Sequence, residues 1–215
     1  MFRLGALLIG YICGNFVTAY FVTAHLLHSD PTKVGSGNPG TANVGAVFGK
    51  KYGTLTAVGD LAKAVIALAI TWLLFKNHLA LAYTGLGLML GHCFPLFYHF
   101  KGGKGVAVSI ALLLVYDVRI AVAVLLIALV MTALMQNLTI PPLTFMLLFS
   151  IFEYPIKAEA GLVFGLIFLV MLIRFWSDVV DFFAGRSKRV DILKTIKRKL
   201  GISHEGDIGS SEKKI

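Results

Sequence analysis

Charged side chains are scarce. Asp, Glu, Lys and Arg make up 14% of the 215 residues, where a soluble domain carries about 25%. With 57% hydrophobic residues and a mean hydropathy of +0.82, the chain leaves little room for a soluble domain and reads as an integral membrane protein. Acidic residues are scarcest: 11 against 20 Lys and Arg, a net charge of +9. Cysteine is almost missing. Cys13 and Cys93 both fall in apolar segments, so they make no disulfide framework and say little about compartment. The six histidines and two cysteines show no metal-ligand spacing, and neither a metal nor a cofactor is expected. No GxxxxGK run followed by Ser or Thr is present, which argues against a nucleotide triphosphatase. Gly35–Gly40 satisfies GxGxxG, but no βαβ unit surrounds it, so the dinucleotide reading fails.

What is present is a succession of long apolar runs. Crossing a bilayer takes roughly 20 apolar residues, because the hydrocarbon core is about 30 Å thick. Leu4–Ala24, Thr54–Phe75, Leu79–Tyr98, Val106–Tyr116, Ile120–Gln136, Leu138–Phe152 and Ala160–Ile173 are the candidate segments, the last prolonged by Phe175–Ala184. The first is long for a signal-peptide core and lacks a cleavage site. Its Gly10 and Gly14 form a GxxxG pair that permits close helix packing, and Tyr11 and Asn15 are polar handles within it. Pro141-Pro142 is expected to break or kink the sixth segment. The second carries Asp60 and Lys63, three residues apart on one helical face, where they can pair. Either charge alone costs roughly 2.5–3.5 kcal/mol at a helix centre, so both must face protein or water. The fold class is an all-α polytopic membrane protein of about seven transmembrane helices.

Charge sets the expected orientation. One side holds Lys33, Lys50, Lys51, Lys101, Lys104, Arg174 and the basic tail; the other holds only Arg3, Lys76, Arg119 and Lys157. The positive-inside rule then puts the N-terminus out and the C-terminus in the cytoplasm. Residues 1–185 read as one transmembrane domain and 186–215 as a basic amphipathic cytoplasmic tail. Arg186–Leu200 places Val190, Leu193, Ile196 and Leu200 at helical spacing between Lys and Arg, which suits a helix lying on anionic lipid better than a nucleic-acid site.

Two polar loops fall on the same expected side. In Gly91–Ala107, GHCFPLFYHFKGGKGVA, apolar sequence breaks into Lys101-Gly102-Gly103-Lys104-Gly105 and resumes at once. Glycines let backbone N–H groups approach a ligand, and the lysines add charge, so the hinge suits an anion at a membrane surface. The other loop, His25–Gly53, contains Gly35, Ser36, Gly37, Asn38, Gly40, Thr41 and Asn43. Its glycines expose N–H groups, the polar side chains add donors, and Thr41–Phe48 reads as a short helix whose N-terminus points at an anion. Alone it could be an ordinary turn-rich loop; two such loops on one face favour phosphate binding. An anion channel fits less well, since both loops lie on one face and no inverted repeat is evident.

These residues resemble those of the bacterial membrane glycerol-3-phosphate acyltransferases that use acyl-phosphate (PlsY). The family pattern GHxxPxFxxFKGGKGVA matches Gly91–Ala107 at every defined position, SGNxGxxNV matches Ser36–Val44, and Gly59-Asp60-x-x-Lys63 is also similar. The resemblance implies transfer of an acyl chain from acyl-phosphate to the 1-hydroxyl of glycerol 3-phosphate, giving lysophosphatidic acid and phosphate. It implies a substrate-binding set of Gly35, Gly37, Asn38, Gly40, Thr41, Asn43, Lys101, Gly102, Gly103 and Gly105, with Ser36, Lys104 and His92 as catalytic candidates. His92 reads either as a proton acceptor or as a packed histidine bonded to a neighbouring helix. Asp60 reads as a partner of Lys63 or of a loop lysine rather than as a base. An acyl-phosphate is already activated, so the protein need only hold two anions and orient a hydroxyl.

The chain departs from the family at Ala46, where an arginine is usual, and at Phe175, Asp178, Asp181 and Ser187, in place of histidine, asparagine, arginine and glutamate. A serine-rich stretch before the sixth span is replaced by Thr139-Ile140-Pro141-Pro142. These departures support donor-phosphate binding better than glycerol-3-phosphate binding. They leave open a divergent paralogue with another acceptor or a non-catalytic acyl-phosphate- or lipid-binding role.

Overall fold

The computed structural model describes residues 1–187, which are helical throughout their regular structure. The elements are α1 (Phe2–Asn15), α2 (Thr18–Leu27), α3 (Thr41–Phe48), α4 (Lys50–Phe75), α5 (His78–Cys93), α6 (Val106–Tyr116), α7 (Val118–Met135), α8 (Ile140–Glu153) and α9 (Ala158–Phe183), with one 3-10 turn at Leu96–Tyr98. Phe2–Leu27, Lys50–Phe75, His78–Tyr98, Val118–Met135 and Ala158–Phe183 are long and apolar enough to cross a membrane, while α6 and α8 are shorter apolar helices. The amphipathic helix expected over Arg186–Leu200 falls, beyond Ser187, outside the described residues.

The first apolar run is not one helix. Phe16 and Val17 are extended (φ −74°, ψ 96° and φ −92°, ψ 108°) and separate α1 from α2. Interrupting a helix in hydrocarbon strands backbone carbonyls, which must find partners inside the protein. Here Lys63 Nζ supplies them, donating to Phe16 O at 2.7 Å and Gly14 O at 3.4 Å. The break expected at Pro141-Pro142 is absent for a related reason. Both prolines lie in the first turn of α8, where the missing N–H groups would have no intrahelical partner anyway. Asn137 Oδ1 accepts from Thr139 N and Ile140 N at 2.7 and 3.0 Å and starts the helix.

Close helix contact organises the centre. Gly10 and Gly14 of α1 face Gly87 and Gly91 of α5 so tightly that a Cβ on Gly10 would stand 2.1 Å from Thr84 O, and one on Gly87 2.0 Å from Leu7 O. The small-residue stripe thus lets two backbones touch. At the end of this seam, Asn15 Oδ1 accepts from Leu96 N at 2.6 Å and Tyr11 Oη donates to Phe94 O at 3.2 Å. Both polar handles fasten the turn that leaves α5. Elsewhere Phe149, Phe164 and Tyr116 join α6, α8 and α9 edge to face, with centroids 4.7 to 6.2 Å apart. Leu126, Leu129, Val130 and Leu134 of α7 stay exposed, as a lipid-facing stripe requires.

Candidate active site

The loop from His28 to Gly40 is shaped from within. Thr32 donates its N–H and hydroxyl to Asp30 Oδ1 at 2.9 and 2.7 Å. These bonds hold the Asp30 carboxyl below the usual carboxylate range. Asn43, buried at the start of α3, spends its amide on the loop: Oδ1 accepts from Ser36 N at 2.8 Å, and Nδ2 donates to Pro31 O and Val34 O at 2.9 and 3.0 Å. Gly35 and Gly37 have positive φ (+59° and +72°), a backbone that side chains disfavour. Ser36 is exposed, and its Oγ accepts from Asn38 N at 3.4 Å. The Asn38 Oδ1 is buried with no partner among the described residues. Thr41–Phe48 forms the expected helix, with Gly40 as an N-cap that offers no side-chain bond. The first-turn N–H groups therefore receive no side-chain cap, and the positive end of the helix dipole lies at the loop.

The lysine-glycine hinge sits directly on the end of α5. Gly103 N donates to His92 O at 3.1 Å. A Cβ on Gly102 would lie 2.0 Å from His92 O, and one on Gly103 would lie 2.4 Å from His92 Nε2 and 3.1 Å from Pro39 O. Gly105, at φ +78°, caps α6. The two polar loops thus approach so closely at Gly103 and Pro39 that a side chain on Gly103 would press on the other loop. Tyr20 of α2 ties the same corner, donating its hydroxyl to Lys101 O at 2.8 Å and stacking on Tyr98 at 3.9 Å.

Beneath the hinge lies a buried polar group. Lys63 Nζ is 3.0 Å from Asp60 Oδ1 and 2.8 Å from His92 Nδ1. Thr18 Oγ1 donates to the same Asp60 oxygen at 2.9 Å. An ammonium can only donate, so His92 Nδ1 accepts and the ring proton falls on Nε2, the atom facing Gly103. The network joins α2, α4 and α5, and through His92 it supports the hinge from below.

Lys104 leaves the hinge toward α9. Its Nζ pairs with Asp178 Oδ2 at 2.5 Å and lies 5.0 Å above the Phe175 ring. Ala46 is exposed on α3. Asp181 accepts from Arg186 at 2.8 and 3.1 Å, and Ser187 is the last described residue. Arg174, which the sequence places only among the cytoplasmic-side charges, belongs to the site. Its Nη2 and Nε donate to Gly102 O and Gly103 O at 2.6 and 3.2 Å, and the guanidinium covers Phe94 at 5.6 Å. The fork turns the hinge carbonyls toward α9. The cost of a lone guanidinium in an apolar helix, the argument applied to Asp60 and Lys63, could have marked it.

A corner built from glycine N–H groups, a helix N-terminus and two lysines can hold anions. The chain as a whole is similar to known proteins. Residues 4–185 match the family described as glycerol-3-phosphate acyltransferase. A glycerol-3-phosphate acyltransferase 1 from Lactobacillus acidophilus is 60% identical over 205 residues, 95% of this chain and 100% of that protein. One from Lactobacillus johnsonii is 55% identical over 92% of this chain and 97% of its own. Among solved structures, the glycerol 3-phosphate form of PlsY, an integral membrane glycerol 3-phosphate acyltransferase, superposes with a TM-score of 0.80 at 26% identity, covering 90% of this chain and 98% of that one. Its lysophosphatidic acid form gives a TM-score of 0.79 over the same shares. Sequence and fold agree over nearly the full length, and the chain belongs to the glycerol-3-phosphate acyltransferase family, as a multi-pass acyltransferase of the membrane.

Proposed function

We propose that this chain takes acyl-phosphate as donor and glycerol 3-phosphate as acceptor, forming lysophosphatidic acid and phosphate where the two loops meet. The hydroxyl oxygen bonds to the acyl carbonyl carbon as the bond from that carbon to the phosphate oxygen breaks, and the hydroxyl proton passes to the departing phosphate. Lys104 and Lys101 offset the charge growing on the leaving phosphate. Ser36, Gly37, Gly40 and the first turn of α3 hold a phosphoryl group, and the buried Asn38 Oδ1 receives a hydroxyl of the acceptor. Asn43 shapes the loop, and His92 positions the hinge. The N-terminus lies outside and the loops face the cytoplasm of a bacterium. The observation that carries this reading is the nearness of Gly103 to Pro39 O, 3.1 Å from where a Gly103 Cβ would stand, because acyl transfer needs both anions within reach of one carbonyl.

Purified protein given palmitoyl-phosphate should release phosphate and form lysophosphatidic acid only when glycerol 3-phosphate is added. Release indifferent to the acceptor, or none, would defeat the proposal. A second reading, a paralogue that binds without turnover, draws on Asp178 occupying Lys104. It requires the unmodified protein to be inactive and Ala46→Arg, Phe175→His and Asp178→Asn together to create activity.

Gly103→Ala tests the loop junction. The new Cβ meets the His92 ring and Pro39 O, so one loop must retreat. A displacement near 1 Å costs about 10²-fold in rate, and kcat/KM should fall by that order; the Tm in detergent should fall as well, because the buried His92 ring must shift. Undiminished kcat/KM would mean the junction does not hold the reacting groups.

A further inference from the structure

Among the described residues, three Lys–Asp pairs occupy this end of the bundle; Lys33–Asp30 is a loose, exposed contact at 3.9 Å within its loop, and the other two differ in kind. Lys63 and Asp60 have side chains only 7% and 3% exposed, and both are bonded further, to Phe16 O, His92 and Thr18. That pair is locked. Lys104 and Asp178 are 24% and 34% exposed. Among the described residues each has the other as its one hydrogen-bonded side chain. The Phe175 face below Lys104 attracts the ammonium without using a donor. The pair is therefore wet, singly bonded and breakable.

It also stands where an anion is to bind. Lys104 belongs to the hinge whose neighbouring cation, Arg174, is already spent on Gly102 O and Gly103 O. A phosphoryl group must compete with this carboxylate for the Lys104 ammonium, because two anions at contact distance of one another repel. We propose that Asp178 is a displaceable counter-ion: it holds Lys104 in the resting protein, yields it to the phosphoryl group, and reclaims it as phosphate departs. This makes Asp178 a positioning residue that weakens phosphate retention. The inference deepens the proposed function and rests on its placing of phosphate at Lys104.

The consequence has a sign opposite to that of a structural role. If Asp178 merely steadied Lys104, its loss would weaken phosphate binding; as a competitor, its loss strengthens it. Inorganic phosphate is titrated by calorimetry into detergent-solubilised wild type, Asp178→Asn, Asp178→Ser, Asp178→Glu and Lys104→Ala/Asp178→Asn. The Asn and Ser variants should bind phosphate about fivefold tighter than wild type, the scale of a partly exposed ion pair. Asp178→Glu should stay near wild type, and the double variant should lose the gain. In turnover the Asn variant should show a lower inhibition constant for phosphate and a lower KM for palmitoyl-phosphate. Unchanged or weaker phosphate binding in both neutral variants overturns the inference. The titration needs no catalysis, so an inactive wild type would sink the proposed function and leave this comparison standing.

Discussion

Exchanging Lys104 for alanine should lower turnover of palmitoyl-phosphate by roughly 10²–10³-fold, the range for removing one preorganised group that meets transition-state charge. The charge develops on the phosphate oxygen as the acyl bond breaks, so the loss belongs in kcat more than in KM. Lys101, three residues earlier in the chain, shares this charge but does not replace Lys104. Arg174 has its donors on Gly102 O and Gly103 O, and Lys63 is buried in its own network. Stability should change little, since Lys104 is partly exposed and its one ion pair is with a partly exposed carboxylate, a contact worth at most about 1 kcal/mol. Steady-state phosphate release and a melting curve on the same preparation check both halves. A variant retaining more than about a tenth of wild-type kcat would remove Lys104 from the mechanism.

Lys63→Met should have the largest effect on stability, a loss of about 3–5 kcal/mol, because it leaves the Asp60 carboxylate buried without its counter-ion. The loss goes beyond electrostatics. Lys63 also donates to Phe16 O and Gly14 O, so the interrupted α1–α2 segment loses the partner for its freed carbonyls, and His92 loses its contact below the hinge. The readout is the thermal midpoint in detergent micelles, where the variant should melt well below wild type. Adding Asp60→Asn should recover part of the difference, since the second change removes the stranded charge. A single variant melting with wild type, or a double variant no better than the single, would show that the pair does not hold these helices together.

Much of this architecture was legible because it depends on local chemistry. Hydropathy marked the apolar segments, Thr41–Phe48 and Val106–Tyr116 came out as helices over the residues expected, and the last span ran on through Phe175 to Phe183. The GxxxG pair at Gly10 and Gly14 announced a close helix contact but not its partner, Gly87 and Gly91 on α5. Hydropathy also concealed the gap at Phe16–Val17, since an extended pair of apolar residues is as greasy as a helical one. Pro141-Pro142 misled in the other direction: proline forbids a helix interior but suits a first turn, and only the position of Asn137 decides which applies.

By itself the sequence settled that this is a multi-pass helical membrane protein carrying two glycine-rich polar loops, because bilayer thickness and the conformational freedom of glycine act on short stretches of chain. Tertiary structure alone decided that Gly103 rests against Pro39 and His92, that Arg174 grips the hinge from 71 residues away, and that Asn43 turns inward while Asp178 reaches Lys104. Those contacts are set by how α5 and α9 lean on the loops. Such packing follows from the fit of whole helix faces, which no local pattern of residues encodes.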